Sequence, residues 1–346
     1  MTRTVNRRLT ALALSGVLAL SLAGCGVRTT PAETRIFAMD TVMSLTVYGK
    51  EGQEAMDRAV DTIYELDRAL SATDSTSAIF ELNNGAGEWV DMDPEAASLL
   101  EDTLKLGEIT GGALDVTAYS AVKSWGFTTG SYRVPDAQEL RTLADNIDYS
   151  AVEVENGRAR LPKGMSLDLG AVAKGHTGDL LDQQLREEGI SSALLDLGQS
   201  SIQAVGSKPD GSPWRIGLQD PTGQGYLTVV ELEDMAMGTS GGYQRFFEQD
   251  GQTYWHILDP DTAAPARTGL GSVTVVAPSG LICDGLSTAL FVMGEEEGAQ
   301  FWRDHPELQF DVIFIREDGS VAITAGLEDT FSLATGYEDR EVTLIT

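Results

Sequence analysis

The chain has 346 residues, 42% of them hydrophobic, enough to bury a core without disulfide staples, which excludes a disordered chain. Acidic residues outnumber basic ones 53 to 24, and a formal net charge of −29 repels nucleic acid unless a basic patch intervenes; none follows the first few residues. Two cysteines, Cys25 and Cys283, and three histidines, His176, His256 and His305, are too few for a zinc cluster.

Along the chain, Arg3, Arg7 and Arg8 precede an apolar run from Leu9 to Leu22 that ends in Ala23-Gly24-Cys25. A run this short, ending in small residues, predicts a secretion signal over residues 1–24 rather than a spanning helix. The Cys after Ala-Gly resembles a bacterial lipobox. The expectation is an extracytoplasmic protein, anchored to the membrane through lipidated Cys25, with residues 25–34 as a small, polar tether.

Alternation of Met43, Leu45 and Val47 predicts a strand over 41–48, and Met56, Ala59, Val60, Ile63, Leu66 and Leu70 predict a helix over 53–70. Asp93-Pro94 opens a helix with a cap and a first-position Pro, its apolar face formed by Ala96, Leu99, Leu100, Leu104 and Leu106. A third helical pattern runs from Ala171 to Glu188 and stops at Gly189. Strands are expected at 193–197, 214–219, 226–232 and 272–277, a helix at 284–293, and a hairpin joining 310–315 to 321–324. No internal repeat is present. Helices and strands mix without a βαβ beat, so the predicted class is α+β, a mixed sheet with packed helices, folded as one two-lobed catalytic unit over 35–346.

Two stretches carry recognisable chemistry. In Leu167-Asp168-Leu169-Gly170-Ala171 through Lys174-Gly175, a carboxylate and a Gly turn lead into a helix start with a Lys one turn inside. Helix-start amides and Lys174 suit a phosphate, and Asp168 suits a ribose hydroxyl or a ring N–H. In Asp284 through Thr288, a carboxylate and a hydroxyl four residues apart share a helix face and suit Mg²⁺ completed by water and phosphate oxygens. Asp284 alone also reads as a helix N-cap, whose positive end disfavours a cation. His256, in the apolar run Tyr254–Leu258, reads either as a packed His or as a catalytic one.

Taken in order, these and other marks resemble the FAD:protein FMN transferase family, also called the ApbE family, from about Arg35 to about Thr335. The marks are Ala38-Met39-Asp40-Thr41, Gly111-Gly112-Ala113-Leu114-Asp115, the Leu167–Gly175 stretch, Asp196-Leu197-Gly198, and Trp214-Arg215-Ile216-Gly217 with Asp220-Pro221. Thr239-Ser240-Gly241, His256 through Pro260, and Asp284 through Thr288 complete them. The resemblance implies a two-lobed α+β enzyme with FAD between the lobes. Met39 would pack on the flavin; Ala113, Leu114 and Asp115 would contact the isoalloxazine; Asp168 and Lys174 would hold the nucleotide; Leu258 would line the pocket. Mg²⁺ would take the Ala171 carbonyl and the side chains of Asp284 and Thr288, with Ser287 assisting. The lipobox in front fits the same family.

Three departures stand out. Thr73 occupies a position near which members often carry a stacking aromatic. Gly198-Gln199-Ser200-Ser201 replaces a usual Gly-Gly-Asn. Thr262-Ala263 replaces Thr-Gly after Asp259-Pro260, where positive φ comes less easily to Ala. The implied reaction is attack of a Thr or Ser hydroxyl of an acceptor protein on the FMN phosphorus of FAD, with AMP leaving. His256 is the candidate base and Asp284 its rival. The implied acceptors are flavoprotein subunits of sodium-pumping or electron-transfer complexes, or extracellular flavoproteins. Two other readings use the same residues: an Mg²⁺-dependent FAD pyrophosphatase with water as acceptor, and a flavin-binding lipoprotein without catalysis.

Overall fold

The computed structural model describes residues 30–85, 87–223 and 225–346; the signal segment and Cys25 lie outside the described residues. A nine-stranded sheet forms the frame. Its strands, edge to edge, are Ala32–Ala38, Thr41–Tyr48, Ser192–Asp196, Ser201–Val205, Ala236–Gly241, Leu270–Ala277, Asp311–Arg316, Val321–Thr324 and Val342–Ile345. Neighbours are antiparallel except the last pair, in which Val321–Thr324 and Val342–Ile345 run parallel. The class is therefore α+β, as expected. The first strand begins at Ala32, inside the segment expected to be tether.

Eight α-helices are described: α1 Gly52–Ala69, α2 Ala78–Asn84, α3 Pro94–Ile109, α4 Tyr119–Trp125, α5 Ala137–Ala144, α6 Ala173–Glu187, α7 Gly280–Met293 and α8 Glu295–Asp304. One face of the sheet takes α1 and α6: Met43, Leu45 and Val47 pack on Met56, Ile63 and Leu185, all nearly without solvent contact. Burying each such Leu, Ile or Met contributes about 1.5–3 kcal/mol. The other face is covered by a second sheet, Trp214–Gln219, Tyr226–Leu232 and Phe331–Leu333, through Leu218, Leu227, Val230, Val276, Ile313 and Ile323.

Helix ends follow local chemistry. Asp93 caps α3, accepting from the Glu95 amide, with Pro94 at the first position. After α6, Gly189 takes φ +81, the left-handed stop expected of it. Helix α7 departs from expectation. It starts at Gly280, four residues early, and its cap is Ser279, whose hydroxyl accepts from the Ile282 amide. Asp284 is thus inside the second turn and does not cap, so the unfavourable position of a cation at a helix start does not arise there. The expected start was set at Asp284, a good capping residue, while Ser279 caps the helix a turn earlier. Among the described residues no helix is long and apolar enough to cross a membrane.

Candidate active site

The site begins at a backbone contact. Helices α6 and α7 cross at Gly175 and Gly280, each of which leaves no room for a Cβ against the other's carbonyl. Glycine permits that approach because it carries no side chain. From below, Gly238 of the sheet presses on the Cys283–Asp284 peptide, and a Cβ there would lie 2.7 Å from the Asp284 nitrogen. Gly175 and Gly238 thus press against the first turns of α7 from two sides, and Gly280 of α7 itself leaves room for the crossing. Asp179, one turn past Gly175 on α6, fastens the crossing: its carboxylate accepts from the Ser279 hydroxyl and from the Gly280 and Leu281 amides.

Asp284 is 5% exposed, and its carboxylate joins three elements. One oxygen accepts from the Gly175 amide at 2.7 Å and the other from the Ser201 hydroxyl at 2.7 Å. Burial raises its pKa; the charge of Lys174 and these two hydrogen bonds pull it back toward the ionised form. Gly175 is the third residue of α6, so its amide is one of the helix-start donors without an acceptor inside the helix, and the Asp284 carboxylate supplies that acceptor. Next along α7, the Ser287 hydroxyl donates to the Asp284 carbonyl at 2.9 Å, and Thr288 reaches the same carbonyl at 3.4 Å. Ser240 lies within 3.0 Å of both hydroxyls.

This donor set of carboxylate, hydroxyl and carbonyl oxygens fits Mg²⁺, a hard ion that keeps several waters. Each Asp284 oxygen has a second lone pair, and a hydroxyl that donates inward keeps its lone pairs for an ion. No group of three or more His, Cys, Asp or Glu suited to a metal occurs among the described residues. One carboxylate alone makes a weak ion site, so phosphate oxygens of a ligand must complete it.

Cations gather beside this point in a protein that is otherwise strongly acidic. Burial raises the pKa of Asp168, while Lys174, Arg245 and Lys123 each act to lower it. One Asp168 oxygen accepts from the Gly170 amide at 2.7 Å, forming the turn into α6. The Lys123 ammonium sits over the Tyr119 ring, 4.4 Å from its centroid. His256 belongs to the same cluster. Burial and then the positive charge of Arg245 push its pKa down to about 4, with Lys174 adding to the effect, so the imidazole is neutral near pH 7. Its Nδ1 lies 3.2 Å from the Arg245 carbonyl and donates to it in the Nδ1–H tautomer, which leaves Nε2 as the basic nitrogen. The amides of Ala173 and Gly175 are taken by the Leu169 carbonyl and by Asp284, so this helix start offers an anion fewer free amides than the sequence predicted.

With this geometry in hand, the chain can be set beside known proteins. The ApbE family model matches residues 39–314. A Treponema pallidum protein named FAD:protein FMN transferase is 34% identical over 342 residues, covering 91% of this chain and 94% of its own length. The chain belongs to the ApbE family. Among solved structures, the ApbE protein of Thermotoga maritima superposes with a TM-score of 0.81 at 30% identity, covering 87% of this chain and 99% of its own. The apo flavinyl transferase ApbE of Pseudomonas stutzeri gives 0.75 at 27%, covering 90% and 96%.

The remaining residues matched to the ApbE pattern are spread around this centre. Met39, at φ +47, touches the Thr177 hydroxyl of α6 through its sulfur at 3.8 Å. The Leu114 side chain is core: it is buried and packs against α7 at Gly285. Asp115 holds the neighbouring loop, accepting from the Thr117 amide and hydroxyl and from the Tyr149 amide. Ala113, just before Leu114, is half-buried. Leu258 is buried in an aromatic cluster with Trp125, Phe127 and Phe247. Thr73 is exposed after α1, its hydroxyl 3.2 Å from that of Ser71, and among the described residues no hydrogen bond joins it to the cation cluster. Ala263 adopts φ +53, the left-handed turn a Gly would take, and its carbonyl accepts from the Trp125 indole at 2.8 Å. Buried Cys283 faces the Ala277 carbonyl and has a raised pKa, as fits a structural thiol. Sequence reasoning missed Arg245, Lys123, Ser201 and Asp179, each of which acts on a partner far away in the chain.

Proposed function

We propose that the chain transfers FMN from FAD to a Thr or Ser hydroxyl of an acceptor protein and releases AMP. The relatives named FAD:protein FMN transferase support the reaction class. The observation that carries the chemistry is the buried Asp284 carboxylate, held by the Gly175 amide and the Ser201 hydroxyl within reach of the Lys174 charge. In this reading the acceptor oxygen forms a bond to the FMN phosphorus, the bond from that phosphorus to the bridging oxygen breaks, and AMP leaves with that oxygen. His256 takes the acceptor's proton at Nε2, being neutral and held by the Arg245 carbonyl at Nδ1. Lys174 neutralises phosphate charge, and Asp168 orients the nucleotide. Ala171, Asp284 and Thr288, with Ser287 assisting, would hold Mg²⁺, which supplies charge neutralisation on the phosphates when bound.

The reading further places the protein outside the cytoplasm, held on the membrane by a lipidated Cys25. AMP release from FAD in the presence of an acceptor bearing a flavinylatable threonine tests the metal part. It should stop in chelator, return with Mg²⁺, and be absent in Asp284→Ala. AMP release undiminished by chelator would remove the ion from the account. For anchoring, Cys25→Ala should shift the protein from the membrane fraction to the soluble one; unchanged membrane retention would contradict the lipobox reading.

A further inference from the structure

We propose that Arg245 is a second phosphate-binding cation of this site, held on Asp40 until the pyrophosphate of FAD takes it over. The inference rests on FAD being the substrate, and it adds a residue that the family resemblance did not supply. Asp40 and Met39 form the two-residue turn that joins the first two strands, with Ala38 paired to Thr41. Both take positive φ, +47 and +60, as a type I′ hairpin requires and non-glycine residues adopt at a cost. The turn is pinned: the Met39 amide donates to Asp67 at 2.9 Å, and the Met39 sulfur meets Thr177. Thr177 lies three residues after Lys174, on the same face of α6. Asp40 therefore projects beside the cation cluster, and there its carboxylate accepts from the Arg245 guanidinium at 3.0 Å.

Arg245 is anchored at its backbone and free at its tip. Its carbonyl accepts the His256 amide at 3.1 Å and faces His256 Nδ1. Its guanidinium is half-exposed and Asp40 is 79% exposed, so the pair is solvated and holds the side chain only weakly. The Arg245 charge also reaches Asp168 and His256. A planar fork of donors matches two phosphate oxygens in a way the point charge of Lys174 does not. The pyrophosphate carries two charges against the single one on Asp40, so it competes well for that fork.

Affinities of the purified protein for FAD and for riboflavin, which lacks phosphate, test this with Mg²⁺ held constant. Arg245→Met should weaken FAD by about tenfold to a hundredfold, the range of one charge-assisted hydrogen bond, and leave riboflavin within about twofold. Arg245→Lys should recover part of the loss. Asp40→Asn should tighten FAD severalfold, because it frees the guanidinium while Asn still tolerates positive φ. The proposal is overturned if Arg245→Met binds FAD as wild type does, if it weakens both ligands alike, or if Asp40→Asn weakens FAD. Failure of the wild-type protein to bind FAD would instead remove the substrate reading on which the proposal stands.

Discussion

At Asp284 one carboxylate serves α6, α7 and the sheet while remaining available to an ion. Asp284→Asn keeps the shape; its amide oxygen can accept from Gly175 while its NH2 donates to the Ser201 hydroxyl, so the fold should persist with little change in thermal midpoint. Turnover should fall by about a hundredfold or more, beyond the 10–100-fold typical of residues that merely support a metal ligand. Circular dichroism and AMP release together check this, and a variant that unfolds or keeps full turnover would contradict it. His256 makes a separate prediction. Its folded pKa lies below the ordinary 6.5, at about 4, so as pH falls from 6.5 toward 4 the unfolded chain binds a proton that the folded one refuses. Stability from this group is therefore lost on acidification across that window. The acid limb of kcat/KM should lie nearer pH 4 than pH 6.5, and a limb at 6.5 that vanishes in His256→Gln would show an ordinary, unperturbed imidazole. Asp284 and Thr288 were legible as a pair because a helix puts residues four apart on one face. Arg245 and Lys123 were not, since their partner Asp168 is brought to them only by the fold.

The crossing of α6 and α7 is the element on which the site depends. Gly175→Ala forces a methyl group into the Gly280 carbonyl, so the helices must separate. Overpacking of this kind costs about 1–3 kcal/mol, and the separation breaks the bond from the Gly175 amide to Asp284. A lowered denaturation midpoint together with lost turnover is expected; a midpoint and activity equal to wild type would show that the crossing can relax. Asp179→Ala removes the acceptor for three donors at the start of α7 and should cost at least the roughly 1 kcal/mol of a lost helix cap. Helix patterning was readable wherever one face is apolar, as in α1 and α3. It failed at the start of α7, which is apolar nearly all round and so shows no period, and where Asp284 offered a second capping residue after the true cap, Ser279. The short helices α2, α4 and α5 carry too few residues to display a period, and they too went unread.

For the molecule as a whole, the α+β class and five of the nine strands of the main sheet were legible from their apolar patterns. The order of the strands was not, since their edges are hydrogen-bonding backbone that every sequence shares. The net charge of −29 says little about the reaction by itself. Its use is as a contrast: three cations meeting at Asp168 mark the place where an anion is wanted. The central claim is that this place passes FMN to a protein, and the intact mass of an acceptor bearing a flavinylatable threonine, incubated with the protein, FAD and Mg²⁺, tests it most directly. The account predicts a mass gain of one FMN on the acceptor, matched by AMP and absent with Asp284→Asn. Free FMN and AMP with an unmodified acceptor, across acceptors that other family members flavinylate, would contradict it and make water the true acceptor.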